Sequence, residues 1–171
     1  MKNKSTIIAS AMLMLSVCMT LPVSAENADY GAASAAQLTD NELTLTKMLN
    51  LALEDEYLAR GEYQKIIDTF GERRPFTNII KAESTHISLL LPLFDKYNIE
   101  QSPDRGLELA VIPSTYEQTF KVGVDAELAN IAMYQRFLQK DLSPDVRDVF
   151  ERLLNGSEHH LAAFEKQLNK N

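Results

Sequence analysis

The sequence is poor in cysteine. One of its 171 residues is cysteine, Cys18, and it lies in an amino-terminal segment that we expect to be removed. The remaining chain therefore has no disulfide bond and no thiolate ligand for a metal ion. A metal site in this protein must be built from carboxylate and imidazole groups.

Positive charge is also scarce. The chain has 17 lysine and arginine residues against 24 aspartate and glutamate residues, which gives a formal net charge of −7. A protein that binds the phosphate backbone of nucleic acid needs a basic face, so we expect no nucleic-acid partner. The acidic excess is compatible with the attraction of cations, although most of it is expected on solvated helix surface.

The first 25 residues have the layout of a secretory signal peptide. Lys2 and Lys4 stand at the start, an apolar run covers Ile7–Leu21, and small residues follow at Val23–Ala25. The apolar run is too short for a stable membrane span. We therefore expect cleavage near Ala25, an exported protein that is periplasmic or secreted, and no membrane span in the mature chain.

Helical periodicity dominates the rest of the chain, and no strand signal is present. Residues 26–38 are small and polar and are interpreted as a flexible leader; residues 39–171 are interpreted as one folded domain. A capping box at Thr39–Glu42 precedes the first helix, and Pro92 predicts a kink or an early end near Leu91. Four helices are predicted, at about 40–69, 75–97, 114–139 and 144–169.

The connections between these helices are short, long and short in that order. The long one covers residues 98–113 and is long enough to return the chain along the length of a bundle. This pattern predicts an all-α protein, an antiparallel four-helix bundle made of two helical hairpins joined by one long crossover. An ordinary up-and-down bundle with one loose loop is the alternative.

Each apolar stripe is interrupted by an acid or a histidine. Residues three, four and seven apart share one face of a helix, and a buried, unpaired carboxylate costs several kcal/mol. No lysine or arginine lies on these stripes, whereas two divalent cations would neutralise the acids. A lone buried histidine is usually structural, and acidic residues off the stripes, such as Asp55, are interpreted as solvated. Three glutamates and two histidines on the apolar stripes of four helices together predict a metal site. The predicted ligands are Glu56, Glu83, His86, Glu127 and His160, with Asn130, Ser157 and Glu158 as weaker candidates.

The chain also contains an internal repeat. "EYLARGEYQKII", starting at Glu56, aligns with "ELANIAMYQRFL", starting at Glu127, so Tyr63 matches Tyr134. Further on, "HISLL" from His86 parallels "HLAAF" from His160. The two tyrosines are therefore candidates to hydrogen-bond the ligands or to donate electrons, although buried tyrosines are also common packing residues.

These motifs resemble the ferritin-like di-iron carboxylate proteins, over about residues 39–169. The stretches "EDEYLARGEYQ", "FTNIIKAESTHISLLLPLFDKYNI", "VGVDAELANI" and "LLNGSEHHLAAF" are most similar to the ferritin-like family catalogued as domain of unknown function 2202. The resemblance implies a glutamate from the first and third helices and Glu-x-x-His from the second and fourth. In the fourth helix Ser157 stands where the last glutamate is expected, which puts the second metal in doubt.

The resemblance implies a ferritin-like bundle with a metal site, but no particular reaction. Our leading hypothesis is a non-haem di-iron oxidoreductase that acts on O2 or peroxide, either as a ferroxidase or as a peroxidase. Two iron ions, bridged by Glu83 and Glu127, are expected, with manganese or zinc as alternatives. No cysteine-bound iron centre exists in the mature chain, so any electron donor must be a separate molecule. A bundle that binds or sequesters metal without turnover is the alternative, a vestigial site is a third reading, and a homodimer is left open.

Overall fold

The structure is a computed structural model that describes residues 29–170, and within that range it contains helices and no strand. The prediction of an all-α protein is confirmed. No helix in this part of the chain is long and apolar enough to cross a membrane. The predicted signal peptide, residues 1–25, lies outside the described residues. The helices are α1 (Gly31–Gln37), α2 (Leu45–Phe70), α3 (Phe76–Tyr97), α4 (Gly106–Leu109), α5 (Tyr116–Phe137) and α6 (Pro144–Leu168).

The start of α2 differs from the prediction because two caps follow each other. The capping box joins Thr39 and Glu42 as expected, but it closes a separate 3-10 turn, Asp40–Glu42. The long helix begins only after Thr44, whose side chain accepts a hydrogen bond from the backbone N–H of Lys47. A threonine at this position satisfies one of the free N–H groups of the first helical turn.

Helix α3 runs through Pro92 and ends at Tyr97, so the helix does not end early near Leu91. Pro92 is exposed. The helix stops at Asn98, which adopts the left-handed conformation with φ 49°. Asparagine is one of the few residues that tolerate this conformation, which commonly terminates helices.

The prediction of a flexible leader at residues 26–38 is wrong for Gly31–Gln37, which form α1. Ala32 and Ala35 are buried there, and the helix packs against α2 and α5. The backbone N–H of Ala32 donates to the Asp55 carboxylate at 2.8 Å. The sequence did not predict this helix because its alanine side chains give only a weak hydrophobic pattern. These small side chains can nevertheless be buried where two helix backbones approach closely.

The four long helices surround two apolar clusters. Helix α2 contacts α3 and α5, and α6 also contacts α3 and α5. The larger cluster contains the side chains of Leu49, Leu53, Leu90, Phe94, Phe137, Phe150 and Leu153. The smaller cluster contains those of Tyr63, Ile66, Phe76, Ile79, Phe120 and Phe164.

The order in which each helix meets these clusters gives its direction. Along the chain, α2 and α6 pass from the larger cluster to the smaller one, whereas α3 and α5 pass from the smaller to the larger. Every long helix therefore has a central stretch between the two clusters. The acids and histidines that interrupt the apolar stripes lie in those central stretches.

Candidate metal centre

The five principal ligand candidates come together between the two apolar clusters, and all five side chains are buried. Their oxygen and nitrogen atoms form two overlapping groups. The first metal group is Glu56, Glu83 and His86, and the second metal group is Glu83, Glu127 and His160. In each group one ligand atom from each residue lies within 4.8 Å of the others, close enough for one ion to bind all three.

Glu83 belongs to both groups because its two oxygens point to different histidines. Oε2 lies 3.0 Å from His86 Nδ1, and Oε1 lies 3.2 Å from His160 Nδ1. The two imidazole rings are stacked with centroids 5.6 Å apart. A carboxylate that gives one oxygen to each side is suited to bridge two cations.

The remaining acid of the first metal group also divides its oxygens. Glu56 Oε2 lies 3.0 Å from His86 Nδ1, and Glu56 Oε1 accepts a hydrogen bond from the Tyr134 hydroxyl at 2.7 Å. Both oxygens of this buried carboxylate therefore have partners.

The acid of the second metal group is less completely paired. Glu127 Oε1 accepts a hydrogen bond from the Tyr63 hydroxyl at 2.8 Å and lies 3.4 Å from His160 Nδ1. Glu127 Oε2 is buried and has no hydrogen-bond partner. An unpaired buried carboxylate oxygen is costly, so this atom marks a place where a cation would fit.

The two tyrosines cross between the halves of the repeat. Tyr63 on α2 binds the glutamate of α5, and Tyr134 on α5 binds the glutamate of α2. The sequence placed each tyrosine two turns from the glutamate of its own helix, but the hydroxyl reaches the glutamate of the other helix. Each tyrosine thereby orients a carboxylate contributed by the opposite copy of the repeat.

The carboxylates strongly favour protonation of the histidines. Burial opposes the charge on His86, but its hydrogen bonds with Glu56 and Glu83 raise its pKa to about 10. Burial likewise opposes the charge on His160, and the contacts with Glu127 and Glu83 raise its pKa to about 9. Because a histidine must be neutral to bind a metal through Nδ1, an ion at this site would compete with protons.

The acids respond in opposite ways to the same surroundings. Burial raises the pKa of Glu56 to about 8, with the charge of Glu83 adding to the effect. Burial also works to raise the pKa of Glu83, but hydrogen bonds with His160 and His86 lower it to about 2. Burial raises the pKa of Glu127. Glu83 is thus the carboxylate of the cluster that most strongly favours the ionised form.

The three weaker candidates occupy different surroundings. Asn130 is buried, but its side chain hydrogen-bonds with Asp55 and not with the ligand residues. Ser157 is buried on α6, one turn before His160. Glu158 and His159 are exposed, which places both outside the two metal groups.

Asp55 was interpreted as solvated, and this interpretation is wrong. It is buried, it accepts a hydrogen bond from the backbone of α1, and burial raises its pKa to about 7. The signal in the sequence was its position beside Glu56, just off the apolar stripe. Its partner was concealed, because nothing in residues 26–38 indicated a helix that would cover this edge of α2.

No family model matches the chain. The "Uncharacterized protein MJ0754" of Methanocaldococcus jannaschii is 29% identical over 132 residues, which are 68% of this chain and 70% of that protein. A crystal structure of hypothetical protein MJ0754 from Methanococcus jannaschii DSM 2661 matches with a TM-score of 0.66 and 26% identity, covering 78% of this chain and 85% of the other. This chain is therefore similar in backbone arrangement to an archaeal protein whose name carries no activity.

Proposed function

We propose that this protein is an exported ferritin-like metal protein, a non-haem di-iron oxidoreductase that acts on O2 or peroxide. The observation that carries the proposal is the sharing of Glu83 between two buried groups, with one carboxylate oxygen directed to each histidine. Carboxylate and imidazole groups are suitable ligands for iron in a protein without cysteine ligands.

The arrangement of the helices supports the ferritin-like part of the proposal. Helices α2 and α3 run in opposite directions between the two apolar clusters, as do α5 and α6, whereas α3 and α5 run in the same direction. Two parallel successive helices need a connection along the whole length of the bundle, and the segment between Tyr97 and Tyr116 is long enough to provide it. Two hairpins joined by one long crossover give this order of directions.

The residues of the chain would hold and shield the ions. Glu56, Glu83 and His86 would hold one ion, and Glu83, Glu127 and His160 would hold the other. Iron bound there would supply two electrons, one from each Fe(II), which reduce O2 with two protons to H2O2, or H2O2 with two protons to two waters. The apolar clusters at both ends exclude bulk water from the site.

Anaerobic titration with Fe(II) tests the proposal. We expect binding to approach two ions per chain, and we expect added O2 or H2O2 to be consumed as Fe(II) becomes Fe(III). Two electrons should be recovered for each molecule of oxidant. Stoichiometric binding without consumption of O2 or peroxide would contradict the oxidoreductase and leave a binding protein.

Metal binding or sequestration without turnover is the second candidate, and one observation favours it. Ser157 replaces a glutamate of the ferritin-like pattern on the side where Glu127 Oε2 lacks a partner. A group with fewer carboxylates holds a second ion less firmly. Iron, manganese or zinc bound at the first metal group alone would fit this candidate, and redox inactivity with one tightly bound ion would identify it.

A further inference from the structure

The ring of His86 lies directly against the backbone of α6 at Gly156. A methyl group built at Gly156 would lie 2.4 Å from His86 Cε1, 2.4 Å from Nε2 and 3.6 Å from Nδ1. Carbon atoms in ordinary contact are about 3.5–4.0 Å apart. The edge of the ring that carries Cε1 and Nε2 therefore occupies the space that any side chain at position 156 would need.

The neighbouring ring nitrogen, Nδ1, faces the carboxylates. His86 Nδ1 lies 3.0 Å from Glu56 Oε2 and 3.0 Å from Glu83 Oε2. The ring is thus held by two carboxylates at Nδ1 and by the α6 backbone at its Cε1–Nε2 edge. Because imidazole is rigid, a side chain at position 156 would displace the whole ring by roughly 1 Å to restore ordinary contact.

We propose that Gly156 is a positioning residue of the first metal group, because the lack of a side chain there lets His86 present Nδ1 beside the oxygens of Glu56 and Glu83. The inference rests on the proposed function, since it assigns Gly156 a part in metal binding. Ligand distances in a metal site hold to within about 0.2 Å. A displacement of roughly 1 Å would therefore remove His86 from the ion.

The internal repeat shows that a glycine against the histidine ring occurs only at the first metal group. Aligning His86 with His160 pairs Gly156 on α6 with Ala82 on α3. The copy of this position on α3 thus carries a methyl group, whereas the copy on α6 does not. Gly156 and Ser157 are adjacent departures from strict repetition, one against the ring of the first metal group and the other at the expected carboxylate of the second.

Ion stoichiometry provides the first test. We expect Gly156→Ala to lower anaerobic Fe(II) binding from about two ions to about one per chain. Gly123→Ala is the matched control, because Gly123 also lies inside a long helix and a methyl group there would lie 2.8 Å from the ring of Phe164, which belongs to neither metal group. This control should keep two ions. Retention of two ions by Gly156→Ala would overturn the proposal.

Thermal unfolding without metal provides a second test that remains valid if the wild-type protein binds no iron. Gly156→Ala should lower Tm in the wild-type background, because the methyl group meets the His86 ring. In a His86→Ala background the same change should not lower Tm, because the ring is gone and alanine favours helix over glycine. An equal fall in both backgrounds would show that Gly156 serves only the packing of α6 and would overturn the positioning role.

These two readouts separate failure of the inference from failure of the proposed function. If wild-type protein binds no Fe(II), the proposed function fails, and the proposed part of Gly156 in metal binding fails with it, whereas the unfolding comparison still decides whether Gly156 seats the His86 ring. If wild-type protein binds two ions and Gly156→Ala also binds two, the inference alone fails.

Discussion

The two halves of the site contain the same residue types but differ in completeness. In the α2–α3 half, both oxygens of Glu56 have partners. In the α5–α6 half, Glu127 uses one oxygen for two partners and leaves the other buried without any. Glu83, which belongs to both metal groups, comes from the complete half. The α5–α6 half therefore has one carboxylate fewer than the α2–α3 half, because Ser157 stands at the position that corresponds to Glu83. We expect the two halves to bind ions unequally.

Removal of the shared carboxylate should have the largest effect, because it breaks both halves at once. Glu83→Gln keeps the shape of the side chain but removes the charge between His86 and His160. We expect Fe(II) binding to fall from about two ions per chain to about none, measured by anaerobic titration. Glu158→Gln is the control, since Glu158 is an exposed glutamate on α6. One ion bound tightly by Glu83→Gln would contradict the bridging role.

Removal of one unshared carboxylate should abolish ion binding at one metal group and allow binding at the other group to be measured alone. Glu127→Gln should leave one ion bound firmly at the first metal group, whereas Glu56→Gln should leave one ion bound more weakly at the second. The two variants should thus share a stoichiometry of about one ion and differ in Kd, by roughly tenfold or more for an energy difference of about 1.4 kcal/mol. Isothermal titration of each variant measures both quantities, and equal Kd values would contradict the inequality of the halves.

Proton competition predicts a pH dependence with a definite sign. The raised pKa values of His86 and His160 mean that the folded chain without metal retains protons that the unfolded chain loses above about pH 6.5. Its stability should fall as pH rises through about 9 and 10, and the raised pKa of Glu56 acts in the same direction from about pH 4.5 to 8.

A bound ion replaces these protons, so the stability of the loaded protein should not fall in that window. The rise in Tm caused by metal should therefore grow from about pH 6 to about pH 9. Differential scanning calorimetry with and without one saturating metal measures this difference. A rise in Tm that shrinks over the same range would show that ions do not displace these protons.

Much of the site was readable from sequence because buried charge is rare. Glu56, Glu83 and Glu127 each stand where a helix should bury an apolar side chain, and the repeat paired Glu56 with Glu127. The periodicity of α6 was enough to place His160 among the predicted ligands, and its side chain is buried. Strong periodic patterns in long helices carry this information locally.

The features that the sequence did not predict depend on contacts between distant segments. The crossing of Tyr63 and Tyr134 depends on how far apart the helices lie, which periodicity within one helix does not contain. The close contact of Gly156 with His86 depends on the approach of α6 to α3. Helix α1 was missed because its alanines have little hydrophobic signal and its carboxylate partner, Asp55, lies well beyond it in the chain.

Restoration of the missing carboxylate should make the two halves more alike. Ser157→Glu would place an acid three residues before His160, as Glu83 stands before His86. We expect the weaker of the two Kd values to fall by roughly tenfold or more, about 1.4 kcal/mol, while Tm without metal falls because another buried carboxylate lacks a cation. Ser157→Gln controls for size. An unchanged weaker Kd would mean that position 157 does not face the second ion.

Substitution of the tyrosines should have the smallest effect on metal affinity. Each substitution should mainly affect the metal group whose glutamate lies on the other helix. Each hydroxyl donates to a glutamate of the other half, so Tyr63→Phe should weaken mainly the second metal group, through Glu127, and Tyr134→Phe mainly the first, through Glu56. Loss of a hydrogen bond that orients a ligand typically costs ten- to a hundredfold in metal affinity, and we expect about tenfold. Combining each tyrosine change with Glu127→Gln, which isolates the first group, separates the two. In that background Tyr134→Phe should raise Kd and Tyr63→Phe should not, whereas an effect of Tyr63→Phe alone would mean that each tyrosine serves the glutamate of its own helix.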